Sequence, residues 1–351
     1  WTVPSEWSIR DAYIKSPSGE KVVDFSDSNL HVLGYSIPIR DSLTLTELKK
    51  HIFTLPDMPD VIPYRTAYAG DQWGFCMPHK CLEQLDDGIY EVVIDSDLKD
   101  GSLTFGEIYM PGTTRDEVLL SAHICHPSLA NDNCSGLALL THLAKSLRSR
   151  ANHYSYRIIF APGTIGAISW LARNESSTHL IKHGIVVSCV GDSGGPTYKR
   201  SRRGDALVDR AFAHVLRHEC QEPNIIDFFP YGYDERQYCS PGFNLPVGLF
   251  QRSQFGTFPE YHTSADNLDF IQPEALAESF RMICSVLEIL ECDKRYINTS
   301  PFCEPQLGRR GLYSSIGGKA SFPEKNLAML WVLNLSDGDN TLLEIAERAN
   351  M

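Results

Sequence analysis

Hydrophobic and polar positions change their rhythm twice along this chain. Up to about residue 106 they alternate in short runs, as at 21–25 and 89–94, with Ser18-Gly19, Asp87-Gly88 and Asp100-Gly101 as turn signals. Residues 1–106 are therefore expected to form a small, mostly β domain, adjacent to or inserted in the larger one. The stretch 55–63 holds three prolines and is expected to be an ordered linker. From 107 to 299 the pattern becomes one of alternating strands and helices. Apolar runs at 118–120, 185–191 and 245–250 are interleaved with segments at 137–147, 165–173 and 273–290 that repeat apolar residues at three- and four-residue steps. Leu276, Phe280, Ile283, Leu287 and Leu290 make the packing stripe of the last of these. This predicts an α/β architecture, a doubly wound and mostly parallel sheet covered on both faces. Residues 300–351 change again: an apolar helix at 327–335, punctuation at Asp337-Gly338-Asp339-Asn340, then a second helix capped by Thr341. That segment looks helix-turn-helix- or winged-helix-like, and truncated before any wing.

The chemistry gathers at the predicted strand ends. The run at 118–120 delivers His123 and His126 to a loop; nine residues after His123 comes Asp132, and Ser135-Gly136 then opens a helix. Imidazole and carboxylate suit zinc. Two more donors stand at later strand ends or loops. Asp192 follows the run at 185–191, and His262 lies just before the turn Asp266-Asn267.

The order His123, Asp132, Asp192, His262 resembles the zinc-dependent exopeptidase superfamily, specifically its M28-like aminopeptidases. The likeness covers about residues 107–297; Asp234 and the run 238–246 look like that family's loop before its last histidine. It implies a zinc-exopeptidase-like fold for 107–299, with one or two Zn2+ ions on His123, Asp132, Asp192 and His262. Asp234 and Tyr261 are then expected to contact substrate. The departures matter as much. Where the family has two adjacent glutamates, residues 157–167 contain no acid, and Cys125 stands where it has an aspartate two residues after its first histidine. Hydrolysis needs a base near the attacking water, and Glu235, Glu260 and Glu175 are the replacements on offer, with Glu235 preferred. His126 is either a fifth ligand or a ring packed on Pro127. This variant pattern resembles a bacterial aminopeptidase-like branch associated with polysaccharide biosynthesis, which also carries a C-terminal winged-helix-like segment. The resemblance implies a zinc-dependent, aminopeptidase-like hydrolase of amide bonds, acting on an N-terminal residue of a peptide or on the acyl-amino group of a small molecule. The alternative is a degenerate, metal-binding, non-hydrolytic interaction protein in polysaccharide biosynthesis.

A rival reading fails on spacing. Asp192-Ser193-Gly194-Gly195-Pro196 looks like a serine-protease nucleophile string, but His123 and Ser193 are only 70 positions apart, with helical periodicity between them. Gly194-Gly195-Pro196 is better explained as a sharp turn.

Composition changes the picture in several places. The net charge of −12 argues against nucleic acid as an obligate partner, as do Glu344 and Glu347 in the last helix; packing or a homo-oligomer contact suits that helix better. The basic run at 199–203 is expected to be a solvated loop or an anion contact. Ten cysteines occur without a Cys-x-x-Cys, several inside apolar runs, which suits free thiols and a cytoplasmic setting. No run is long enough for a membrane span and no signal peptide is visible, although the chain begins at Trp1 and an N-terminal segment is expected to be missing. The aromatic-rich stretch 64–75 suits a substrate wall or packing between domains.

Overall fold

A computed structural model describes residues 2–68, 70–126, 128–312 and 324–351. The alternating runs of the N-terminal part form a four-stranded antiparallel sheet in the order Lys21–Asp24, Glu6–Lys15, Ile89–Lys99, Ile39–Thr44. The turn between the first two needs Gly19, whose φ of +86° few other residues adopt. One face of this sheet buries Ala12, Ile14, Tyr90, Val92 and Ile94 together with Phe75.

The second sheet has seven strands in the order Asn224–Ile226, Thr197–Lys199, Val247–Gln251, Ile181–Val187, Glu117–His123, Ser155–Ala161, Gly106–Met110. The four consecutive strands from Val247–Gln251 to Ser155–Ala161 are mutually parallel, and antiparallel pairing is confined to the joins toward the edges. The mostly parallel, doubly wound sheet expected from the periodicity is therefore present.

In Glu117–His123, fifth in this order, all seven residues are buried. Val118, Leu120 and Ala122 pack on one face with the helices Gly136–Arg148, Leu207–Glu219 and Pro273–Cys292. Leu119 packs on the other with Trp170, Leu171 and Tyr238. Each such Val or Leu side chain contributes about 1.5–3 kcal/mol on leaving water, so the strand that ends in His123 is firmly held.

Two extents differ from the periodic expectation. The strand predicted through residue 191 stops at Val187, because Asn133 takes over its end: Asn133 Nδ2 donates to Val187 O (3.0 Å), and Cys189 N donates to Asn133 Oδ1 (3.3 Å). Asp337–Thr341, expected to be punctuation, is a strand paired antiparallel with Arg295–Ile297. A glycine and two aspartates are accommodated there because the ribbon has only two strands and its faces stay open. The helix Glu324–Leu335 buries no side chain, whereas Leu342–Ala349 starts on a Thr341–Glu344 capping box and buries Leu343 and Ile345. Arg210 of the helix Leu207–Glu219 holds it through Glu344 (3.4 Å) and Glu347 (2.6 Å), so its acidic residues are turned to the protein. Among the described residues no helix is long and apolar enough to cross a membrane, and all ten cysteines are free thiols.

Candidate metal centre

His123 is carried by the last position of the strand Glu117–His123, and the loop that follows folds back over the strand ends. Asp132 lies at the floor of this loop, fully buried, with its two oxygens facing different rings. Oδ1 is 2.8 Å from His123 Nε2, and Oδ2 is 3.1 Å from His262 Nε2. His126 Nδ1 lies 3.0 Å from the Asp132 carbonyl oxygen and 3.3 Å from Oδ2. One donor atom each from His123, His126 and Asp132 fall within 4.8 Å of one another, a set that could hold a metal ion.

The loop owes its shape to polar side chains that satisfy buried backbone groups. Asp266 accepts from the N–H groups of Asn131 (2.5 Å) and Asp132 (3.0 Å). Ser135 Oγ donates to Asn131 O (2.7 Å) and accepts from Val190 N (3.1 Å). The Asp132–Asn133 peptide bond is cis.

Electrostatics follow from the burial. Burial alone would raise the Asp132 carboxyl, but hydrogen bonds from His123 and His262 outweigh it and hold the group well below the ordinary carboxylate range. Burial likewise opposes a charge on His123, and the Asp132 hydrogen bond reverses that, leaving its pKa raised. His126, with less help from Asp132, is pushed by burial down to about 4.

Aromatic rings wall the cluster. Tyr233 stacks on His123 at 4.9 Å and Tyr261 on His262 at 4.0 Å, while Tyr64 meets His126 edge-on at 4.7 Å. Tyr64 arrives from the N-terminal part because residues 62–64 run antiparallel to 262–264: Tyr64 N donates to His262 O (2.8 Å) and Ser264 N to Ile62 O (2.9 Å). The aromatic-rich stretch, expected as a substrate wall or as packing between domains, thus reaches the cluster through its first residue.

The remaining residues singled out from sequence fall in other places. Asp192 is buried, and its carboxylate accepts from Asn131 Nδ2 (2.8 Å), Gly194 N (2.7 Å) and Ser253 Oγ (2.6 Å), which braces the loop. Gly194 is required in that turn, since a Cβ there would sit 2.3 Å from Ser253 Oγ. Glu235 is fully buried and bound to Lys199 Nζ at 2.8 Å, with both side chains at 0% exposure. The expected solvated basic run at 199–203 is therefore broken at its first residue. Lys199 also donates to Tyr231 O (2.8 Å) and lies 3.8 Å from the Phe229 ring centroid. Asp234 is buried as well; Thr164 N donates to it (2.5 Å), burial raises its pKa, and the neighbouring His123 opposes that rise. Cys125, where an aspartate was expected to orient His123, accepts instead from Gly163 N (2.6 Å), and His123 Nδ1 is buried without a partner. Glu260 is half-buried beside Tyr261, and Glu175 begins a short 3-10 turn away from the cluster's loops.

Sequence reasoning did not single out Lys199, Tyr233, Asn133 and Asp266 as site residues, although Tyr233 is next to Asp234 and Asn133 next to Asp132.

A buried His-His-Asp group at the C-terminal edge of a mostly parallel α/β sheet defines the class: an aminopeptidase-like fold with a metal-suited centre. The chain aligns with BSAP, a zinc aminopeptidase from Bacillus subtilis, at TM-score 0.59 and 14% identity over 83% of both chains. It aligns with a peptidase M28 precursor from Shewanella amazonensis at TM-score 0.55 and 17% identity over 82% of both. At those identities the likeness is one of fold. The chain belongs to the family described as a domain of unknown function (DUF4910), matched over residues 1–293, and residues 294–351 match a winged helix-turn-helix family. It is 50% identical, along its whole length and 81% of the other's, to a Clostridium acetobutylicum protein provisionally named a polysaccharide biosynthesis protein with aminopeptidase-like domain. A crystal structure from the same organism, provisionally described as a peptidase, superposes at TM-score 0.94 and 49% identity, covering all of this chain and 80% of that one. The winged helix-turn-helix match is compatible with a nucleic-acid contact, which the net charge had argued against.

Proposed function

We propose that this chain is a metal-dependent hydrolase of amide bonds that holds zinc on His123, Asp132 and His262, with His126 in the same group. The observation that carries this is Asp132: a carboxylate with no exposure whose two oxygens each face an imidazole Nε2. That donor set fits zinc by its chemistry, two or three imidazoles with one carboxylate. When bound, zinc would supply a Lewis acid for the amide carbonyl and a lowered pKa for water. One ion suffices for this group; a second would have to draw Asp192 away from Asn131 and Ser253.

The chain's own residues supply the rest. Lys199 occupies Glu235, so the proton-accepting role passes to Asp234, the other buried carboxylate beside His123. Asp234 would take the water proton and return it to the leaving amine. Asp266 keeps the 131–132 backbone in place and Asp192 holds the Asn131 side chain, while Tyr233 and Tyr261 wall the substrate side and exclude water. The substrate is an N-terminal residue or an acyl-amino group.

The test is zinc content of chelator-treated, reconstituted protein together with turnover of aminoacyl and acyl-amino amides. About one zinc per chain is expected in wild type and in Asp234→Asn, with a marked loss in His123→Ala and His262→Ala. Asp234→Asn should lose about 10²–10⁴ in kcat. Wild type that takes up no zinc refutes the proposal. Zinc uptake without turnover of any amide would instead leave a degenerate, metal-binding interaction component.

A further inference from the structure

Aromatic rings continue on both sides of the histidine cluster. On one side Tyr64 packs against His126 and His262, and Tyr68, four residues on, meets Tyr35 at 4.8 Å between ring centroids. On the other, Tyr233, stacked on His123, meets Phe255 at 5.2 Å, and Phe255 meets Tyr231 at 5.5 Å. None of these rings is fully buried, and Tyr68 is 59% exposed. The result is a track of partly open rings, longer than the cluster itself and built mostly of tyrosine.

Its charge is as informative as its shape. Of the four carboxylates buried around the cluster, three are committed, Asp132 to His123 and His262, Asp192 to Asn131 and Ser253, and Asp266 to the backbone of residues 131 and 132, and the fourth, Asp234, is taken by the base role proposed above. A free α-ammonium would find no uncommitted buried carboxylate among them. Tyrosine instead offers an apolar ring face with a hydroxyl at its tip. That pairing suits a neutral pyranose, which presents a C–H face to the ring and hydroxyls to the rim.

Resting on the amide-hydrolase reading, we propose that the substrate is a neutral oligosaccharide bearing acyl-amino groups, its sugar rings stacked along the Tyr35–Tyr68–Tyr64 and Tyr233–Phe255 arms. One acyl-amino group lies at the histidine cluster. The two arms, each reaching beyond the cluster, select a chain over a single sugar.

The test is calorimetric titration of the full chain with N-acetylglucosamine, its trimer and its pentamer, and with the peptide Leu-Gly-Gly, with zinc content measured on the same samples. Affinity should rise with oligomer length. Tyr68→Ala should weaken the pentamer about fivefold, the worth of one stacked ring of about 1 kcal/mol, and leave the monosaccharide and zinc content unchanged. Tyr35→Ala gives a second, more distant probe should Tyr68→Ala fold poorly. A pentamer bound no better than the monosaccharide, or equally well by both variants, overturns the proposal. Preferential binding of the peptide, abolished in Glu260→Gln, would also overturn it and assign a free-amine substrate. The titration reads the track with or without metal. Length-dependent binding in protein that takes up no zinc would keep the carbohydrate track and remove the hydrolase reading, whereas zinc uptake with indifference to oligomers would do the reverse.

Discussion

Replacing Lys199 by methionine is the sharpest test of how the 231–235 turn is held beside the cluster. The Lys199 ammonium is fully buried; it bonds Glu235 Oε1 and the Tyr231 carbonyl, both at 2.8 Å. Methionine fills the volume but leaves Glu235 without its cation and the carbonyl without its donor. Removing one partner of a buried pair costs about 3–5 kcal/mol, a large part of the total stability of about 5–15 kcal/mol that folded proteins possess. Urea unfolding followed by near-UV circular dichroism measures the loss. The pH dependence carries the mechanism. Burial already raises the Glu235 pKa, and Lys199 opposes that rise, so the variant raises it further. A carboxyl whose folded pKa lies above its unfolded value stabilises the fold below the unfolded value, and that stability is lost as pH rises through the folded one. The defect should therefore be mild near pH 4.5 and full near pH 8. Adding Glu235→Leu should restore most of the loss, since an apolar pair of similar volume commonly matches or exceeds a buried ion pair. A single variant within about 1 kcal/mol of wild type, or a double variant as unstable as the single one, would refute this account.

Two further outcomes follow from the same reasoning. His183, pushed by burial down to about 4, remains neutral in the fold while the unfolded chain protonates near 6.5; stability should fall as pH drops from about 6.5 to 4 by up to about 1.4 kcal/mol per pH unit. His183→Gln should flatten that part of the profile, and an unchanged slope would show that other groups cause it. Arg210→Ala removes partly exposed pairs to Glu344 and Glu347, so global stability should change by under about 1 kcal/mol. Amide exchange at 342–349 should nevertheless accelerate, and unchanged exchange there would mean that Leu343 and Ile345 alone hold the helix.

Much of the architecture was legible because burial imposes a local period. The run at 118–120 and the helical spacings of 137–147 and 273–290 mark their elements unaided, and all three lie within the observed strand and helices. His123 and Asp132 could be singled out together because one ends a buried strand and the other lies nine residues on, in the loop that closes over it. Asp192 and Glu235 show where such reasoning stops. Their chemistry suits a ligand or a base, yet what each does depends on Asn131, Ser253 and Lys199, the partners its carboxylate found.

Sequence alone determined the periodicities, the order of the metal-suited residues, and the missing glutamates at 157–167, since each is a property of neighbours along the chain. Tertiary structure alone decided that Tyr64 meets His126 and His262, that Lys199 is buried against Glu235, and that Asp266 holds the backbone of Asp132. Those pairings join positions far apart in the chain, as between Ile62 and Ser264, 202 residues away. No local period encodes such a meeting; it is chosen by which packing leaves the fewest buried polar groups unpaired.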